Sequence, residues 1–220
     1  MKRIIAQAAL CLFLPVMAQA GTIVSAVGVV ASSERNNVPA SATIDQSGLS
    51  ATYISGVTDF DTYIGSNPTH SLLAQNNEWF SDFGNLTPTL TFDLGSVLTI
   101  DRIALWVEES SGFTTAALSS SVDGQAFSSL GTINPANPPR GSDYPAEVFG
   151  FAATSMQYFR MDFSGCPQPG PNSTNECSLG EIAFSAAGGS TVIPLPGSAL
   201  LLGSVIAGGF TIGRRKSRHG

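Results

Sequence analysis

Between residues 22 and 184, apolar and polar positions alternate in short runs bounded by glycine, proline, asparagine and aspartate. Thr22 to Ala31 is valine-rich and predicts a first strand. Ser32 to Ser50 is polar and reads as loop. Thr89-Leu90-Thr91-Phe92-Asp93-Leu94-Gly95 alternates and ends in glycine, which predicts another strand. Leu98 to Val107 alternates for longer: Ile103, Leu105 and Val107 share one face, Ala104 and Trp106 the other. Both faces of that strand are therefore expected to be covered. Asp123-Gly124 sits between two β-like runs and signals a hairpin, because glycine takes positive φ at low cost. Phe127 to Ile133 is the return strand, and Asn134 to Tyr144 is a proline-rich surface loop. In Tyr158 to Phe163, Phe159, Met161 and Phe163 face one way and Tyr158, Arg160 and Asp162 the other. Leu179 to Phe184 is the last strand. The pattern predicts an all-β domain.

The two ends follow different rules. Lys2 and Arg3 precede a mostly apolar run from Ile4 to Val16, and Ala18-Gln19-Ala20 supplies the small residues a signal peptidase accepts. Cleavage would leave Gly21 first. At the other end Val192-Ile193-Pro194-Leu195-Pro196-Gly197 leads into an uncharged run from Ser198 to Ile212, then Arg214-Arg215-Lys216-Ser217-Arg218. A bilayer core of roughly 30 Å needs about 20 apolar residues, so the run is a short span, placed at about 197–213. The basic cluster after it should stay cytoplasmic. The expected organisation is a signal peptide (1–20), an exported β domain (21–186), a small-residue linker (187–191) and a sorting signal (192–220).

That tail resembles the PEP-CTERM class of bacterial sorting signals in its VPLPA-type variant. Its proline box is Pro194-Leu195-Pro196-Gly197, with Gly197 where the variant usually has alanine and Ile193 separating Val192 from the first proline. The resemblance implies processing by an exosortase-type transpeptidase. It also implies residence in the cell envelope, on the outer surface or in the extracellular matrix, with anchoring in the inner membrane through the C-terminal helix.

Within the exported segment the cations are Arg35, Arg102, Arg140 and Arg160. They stand against all sixteen acidic residues of the chain, a balance of −12 where the whole chain carries −6. Such a charge argues against nucleic acid as a partner and favours divalent cations and neutral ligands. Cys11 leaves with the signal peptide. Cys166 and Cys177 remain, an even pair in an oxidising compartment, and predict a disulfide. The loop between them has no apolar anchor, so the bond should add about 2–4 kcal/mol.

The central motifs resemble the discoidin-like, galactose-binding β-sandwich family. They are Phe92-Asp93-Leu94-Gly95, Ile103-Ala104-Leu105-Trp106, Ser121-Val122-Asp123-Gly124-Gln125-Ala126-Phe127, Tyr158-Phe159-Arg160-Met161 and Gly180-Glu181-Ile182-Ala183-Phe184, in that order. The resemblance covers roughly residues 50 to 186 and implies a jelly-roll β-sandwich. It also implies one structural calcium ion, held by an acidic loop and the glutamate of the closing strand. Asp59, Asp61, Thr62 and Glu181 occupy the matching places, and calcium takes six to eight hard oxygen ligands.

A sugar site needs aromatic faces and hydrogen-bonding side chains on loops. Tyr63, His70, Trp79, Phe80 and Phe113 are the candidates, although Trp79 and Trp106 read first as core aromatics. Enzyme chemistry has little support. His70 is the only histidine of the exported segment, and no Gly-x-Ser-x-Gly elbow accompanies it. Glu108 and Glu109 are a carboxylate pair of the kind glycoside hydrolysis uses. On a strand, however, neighbours point to opposite faces. The leading expectation is a non-catalytic, surface-sorted β-sandwich that binds glycan of an extracellular polysaccharide matrix. A secreted carbohydrate hydrolase using carboxylates and a purely structural coat protein are the alternatives.

Overall fold

Most of the expected strands form, and with more strand than expected, but the first one, Thr22 to Ala31, is broken at residues 25–27 into two short strands that pair with different partners. Besides one 3-10 turn (Ala40–Thr43), the described elements in chain order are β1 (Thr22–Val24), β2 (Gly28–Ala31), helix α1 (Phe60–Gly65), β3 (Thr69–His70), β4 (Trp79–Phe80), β5 (Thr89–Trp106) and β6 (Thr115–Ser121). They continue with β7 (Ser128–Ile133), β8 (Tyr144–Pro145), β9 (Glu147–Ser164), β10 (Ser178–Leu179) and β11 (Glu181–Ala186). The computed structural model describes residues 21–72, 77–169 and 174–187. Ala20 and the rest of the predicted signal peptide, the proline box, the predicted span and the basic stop (Arg214, Arg215, Lys216, Arg218) lie outside the described residues.

The chain is a β-sandwich whose two layers share their longest strands. β5 and β9 are each 18 residues long and pair antiparallel along most of their length. The first half of β5 pairs with β2 and with the end of β9, which also carries β6 and then β7. The second half of β5 pairs with β11 and with the start of β9, and β11 carries β1. The register breaks between Asp93 and Leu98, where Gly95 takes φ +79°. The two strands expected at 89–95 and 98–107 are thus one strand turning a corner on a glycine.

Between the layers lies the main core, where Leu90, Phe92 and Leu94 of one half of β5 meet Ile103 and Leu105 of the other, with Phe159, Met161, Phe163, Ile182 and Phe184. Each such side chain contributes about 1.5–3 kcal/mol on full burial. Ala104 and Trp106 point to the opposite face, as expected. There they pack with Ile23, Phe60, Tyr63, Tyr144 and Ala183 in a second cluster.

Helix α1 covers that cluster and was not expected from the sequence. Asp59 starts it as an N-cap, its Oδ1 accepting the Thr62 N–H at 2.7 Å. The predicted hairpin turns at Asp123-Gly124: Gly124 has φ +73°, and Asp123 Oδ1 accepts from the Gln125 N–H at 2.9 Å. Cys166 and Cys177 form the expected disulfide.

Candidate ligand-binding site

The aromatic side chains expected to bind sugar are in the core instead. His70, Trp79 and Phe113 are fully buried, Phe80 is 2% exposed and Tyr63 6%. Each has a structural reason to be inside. Trp79 donates its Nε1–H to Ser33 O at 3.1 Å, and Phe113 meets Phe163 edge-on at 4.6 Å. Tyr63 stands edge-on to Tyr53 at 5.1 Å and donates its hydroxyl to Ala51 O at 2.6 Å. His70 stacks on Tyr144 at 5.2 Å. The polar neighbours of Trp79 do not bring it to the surface: Glu78 and Ser81 are themselves fully buried, and Ser81 Oγ bonds Asn85 O and the Cys177 N–H. The core reading of Trp79 and Trp106 is the one the structure supports.

The four residues expected around calcium do not converge. Asp59 caps α1, and its hydrogen bonds with Thr62 hold its carboxyl below the usual range. Asp61 is half-exposed and pairs with Arg102, which lies over the Phe60 ring at 4.8 Å. Thr62 gives its N–H to the cap. Glu181 is fully buried and faces a different turn: its Oε2 accepts the Gln46 N–H at 3.1 Å. Burial pushes its pKa well up, and its Oε1 has no partner among the described residues. That turn, Ile44-Asp45-Gln46-Ser47-Gly48, carries left-handed backbone at Gln46 (φ +63°) and Gly48 (φ +86°). From sequence this stretch reads only as polar loop; the aspartate followed within three residues by glycine is the signal that marks the turn.

Glu108 and Glu109 are not on a strand. They follow β5, and both are buried, so the alternation argument does not apply to them. Glu108 has no exposure and Glu109 only 7%, so the two carboxylates do not face a substrate together.

An open groove lies on the outer face of β6, β7 and β9. Because Phe159, Met161 and Phe163 point inward, Arg160 and Asp162 point outward. Ser119 is opposite Arg160 in the ladder, and Ala117 is opposite Asp162. Ser129 is opposite Ser119 on β7. These small side chains leave a trough of about 340 Å³, walled by Phe127 at the end of the hairpin and by the Arg160–Asp162 pair. That volume is at the lower end of the roughly 300–1,000 Å³ of small-molecule sites.

The electrostatics of the groove are balanced. Arg160 donates Nε and Nη2 to Asp162 Oδ1 at 3.0 and 2.8 Å, and the Thr89 hydroxyl reaches the same oxygen at 2.7 Å. The guanidinium carbon sits 5.7 Å from the Phe127 centroid. Among the described residues, Arg160 Nη1, Asp162 Oδ2 and the Ser119 and Ser129 hydroxyls make no other hydrogen bond. A half-exposed ion pair of this kind is worth about 0–1 kcal/mol, so a ligand can share its donors at low cost. The groove offers an apolar ring, two hydroxyls and a planar donor–acceptor pair of zero net charge. That set suits a neutral polyhydroxylated ligand.

No protein-family model and no curated protein matches the chain. Solved structures do. A CBM32 module of CpGH89 from Clostridium perfringens, solved with GalNAc-β-1,3-galactose, is 16% identical with a TM-score of 0.50, over 72% of this chain and 94% of the module. A second CBM32 module, from a family 31 glycoside hydrolase of Clostridium perfringens, is 15% identical with a TM-score of 0.50, over 75% of this chain and 91% of the module. At these identities the likeness is one of fold: the described residues have the β-sandwich of CBM32 domains.

Proposed function

We propose that this chain is a non-catalytic glycan-binding protein, exported and sorted to the envelope or the extracellular polysaccharide matrix by its two terminal signals. The observation that carries the binding half is the groove at Phe127, Arg160 and Asp162, on a scaffold shared with CBM32 carbohydrate-binding modules. The strand backbone holds these side chains in place before the ligand arrives, so little ordering entropy is lost on binding. The aromatic face accepts the apolar side of a sugar ring. Arg160, Asp162 and the serine hydroxyls exchange hydrogen bonds with its rim. The −12 balance of the exported segment favours neutral over acidic glycans.

A structural calcium ion belongs to the same reading. Of the expected ligands Glu181 suits it, being buried with a free oxygen beside the Asp45–Gly48 turn. Asp59, Asp61 and Thr62 have other partners. The export half rests on the order of proline box, apolar run and basic stop.

The test is a neutral and acidic glycan array probed with the full chain, beside Phe127→Ala and Arg160→Ala. We expect retention of neutral glycans by the parent and at least a tenfold loss in each variant, with unchanged far-UV circular dichroism. Equal binding by all three proteins would refute the groove.

A further inference from the structure

Three carboxylates meet in the interior where β4, β10 and the end of β5 come together. Glu78 stands immediately before β4, which pairs antiparallel with β10. Glu108 and Glu109 follow β5, whose Trp106 O accepts the Gly180 N–H at 2.9 Å. Glu78 and Glu108 have no exposure and Glu109 has 7%, and one oxygen from each lies within 4.8 Å of the others.

Glu108 is held rigidly in place. Its Oε1 accepts from the Ser110 hydroxyl at 2.6 Å, and its Oε2 accepts from the Ser178 hydroxyl at 2.7 Å and from the Ser111 N–H. Glu78 is only half satisfied. Its Oε1 bonds the Tyr144 hydroxyl at 2.6 Å, whereas its Oε2 is buried without a hydrogen-bond partner among the described residues. An unused carboxylate oxygen inside a protein is costly, and two further acids beside it raise the cost. A cation at the centre removes both penalties.

The donor set suits a hard divalent cation. Calcium holds oxygens at about 2.3–2.6 Å, so two of its ligands are at most about 5.2 Å apart, and oxygens that all lie within 4.8 Å of one another fit that span. The converging atoms are all oxygens, with no cysteine, which disfavours zinc. His70 Nδ1, 3.7 Å from Glu78, is engaged by Tyr144 and Ser71 O.

We propose that Glu78, Glu108 and Glu109 are the carboxylate ligands of a calcium-class divalent-cation site, separate from Glu181 and from the glycan groove. Such an ion would fasten β4 to the end of β5. It would also fix Ser178, next to Cys177, and so the disulfide loop.

The probe is terbium, titrated into the chelator-stripped full chain. Tyr144 and Trp79 stand beside the site and serve as sensitisers of its luminescence. The expected result is a saturable signal that calcium displaces. Glu78→Gln, which keeps the shape and the Tyr144 contact, should weaken it by at least the roughly 10–100-fold that even an outer-shell change costs. Glu181→Gln should leave it in place. If Glu78→Gln is not folded by circular dichroism, Glu109→Gln carries the same expectation. The absence of a calcium-displaceable signal would overturn the site. So would retention of full affinity in the glutamine variants, or a signal lost only in Glu181→Gln.

Discussion

Asp162 and Glu78 are both carboxylates near the chain's ring-bearing residues, yet they do opposite things. Asp162 lies on the outer face of β9, half-exposed, with three donors on one oxygen and water available to the other. Glu78 has no exposure, two acidic neighbours and one oxygen with no hydrogen-bond partner among the described residues. The first is inexpensive to keep and ready to trade hydrogen bonds, which suits recognition of a neutral ligand. The second is expensive to keep and stands only if something compensates it. Where a charged group sits, more than which residue it is, decides whether it serves binding or architecture.

The sharpest way to break this contrast is to remove an acid from the buried cluster. Glu108→Ala strips the acceptor from the Ser110 and Ser178 hydroxyls and the Ser111 N–H inside the protein. It should cost about 3 kcal/mol or more in denaturant unfolding. Replacing Cys166 and Cys177 by alanine should cost about 2–4 kcal/mol, because the bond closes a loop of sequence separation 11 that feeds Ser178 into the acid cluster.

A pH series in chelator sharpens the buried side. Burial, offset in part by Tyr144 and reinforced by Glu108 and Glu109, pushes the Glu78 pKa up to about 8. The folded state therefore holds a proton that the unfolded chain releases near the ordinary carboxylate value. That contribution is fully present below about pH 4.5 and falls as pH rises towards 8, by at most about 1.4 kcal/mol per unit. Glu78→Gln should flatten the slope, and an unchanged slope would detach it from Glu78. The smallest stability effect belongs to the exposed side. Arg160→Ala should move stability by less than about 1 kcal/mol, against the at least tenfold loss expected on the glycan array.

How much of this was readable beforehand follows from the range of the interactions involved. Alternation along Ile103 to Val107 and Tyr158 to Phe163 is a local signal, and those residues face as it implied. The Asp123-Gly124 hairpin and the Cys166–Cys177 bond are also written in neighbours. The first half of β9 was not legible, since Gly150, Ala152, Ala153 and Ser155 carry no steady alternation. Helix α1 is a single capped turn and a half, too short for a helical period to show. The groove was missed because its trough is a set of small residues, Ala117, Ser119 and Ser129, contributed by two strands and completed by a third. A gap has no sequence signature of its own. Trp79 read first as core, but Glu78 and Ser81 beside it kept a sugar-facing role open, since nothing local says that those polar groups find partners in Tyr144, Asn85 and Cys177.

β5 and β9 belong to both layers at once. Peeling one layer from the other therefore means tearing continuous main chain out of both halves of the sandwich, which ties their fates together. Amide protons at Phe92 and at Leu105, on opposite sides of the corner at Gly95, should exchange with solvent at the same slow rate. Loss of either layer is then expected to coincide with loss of the whole sandwich.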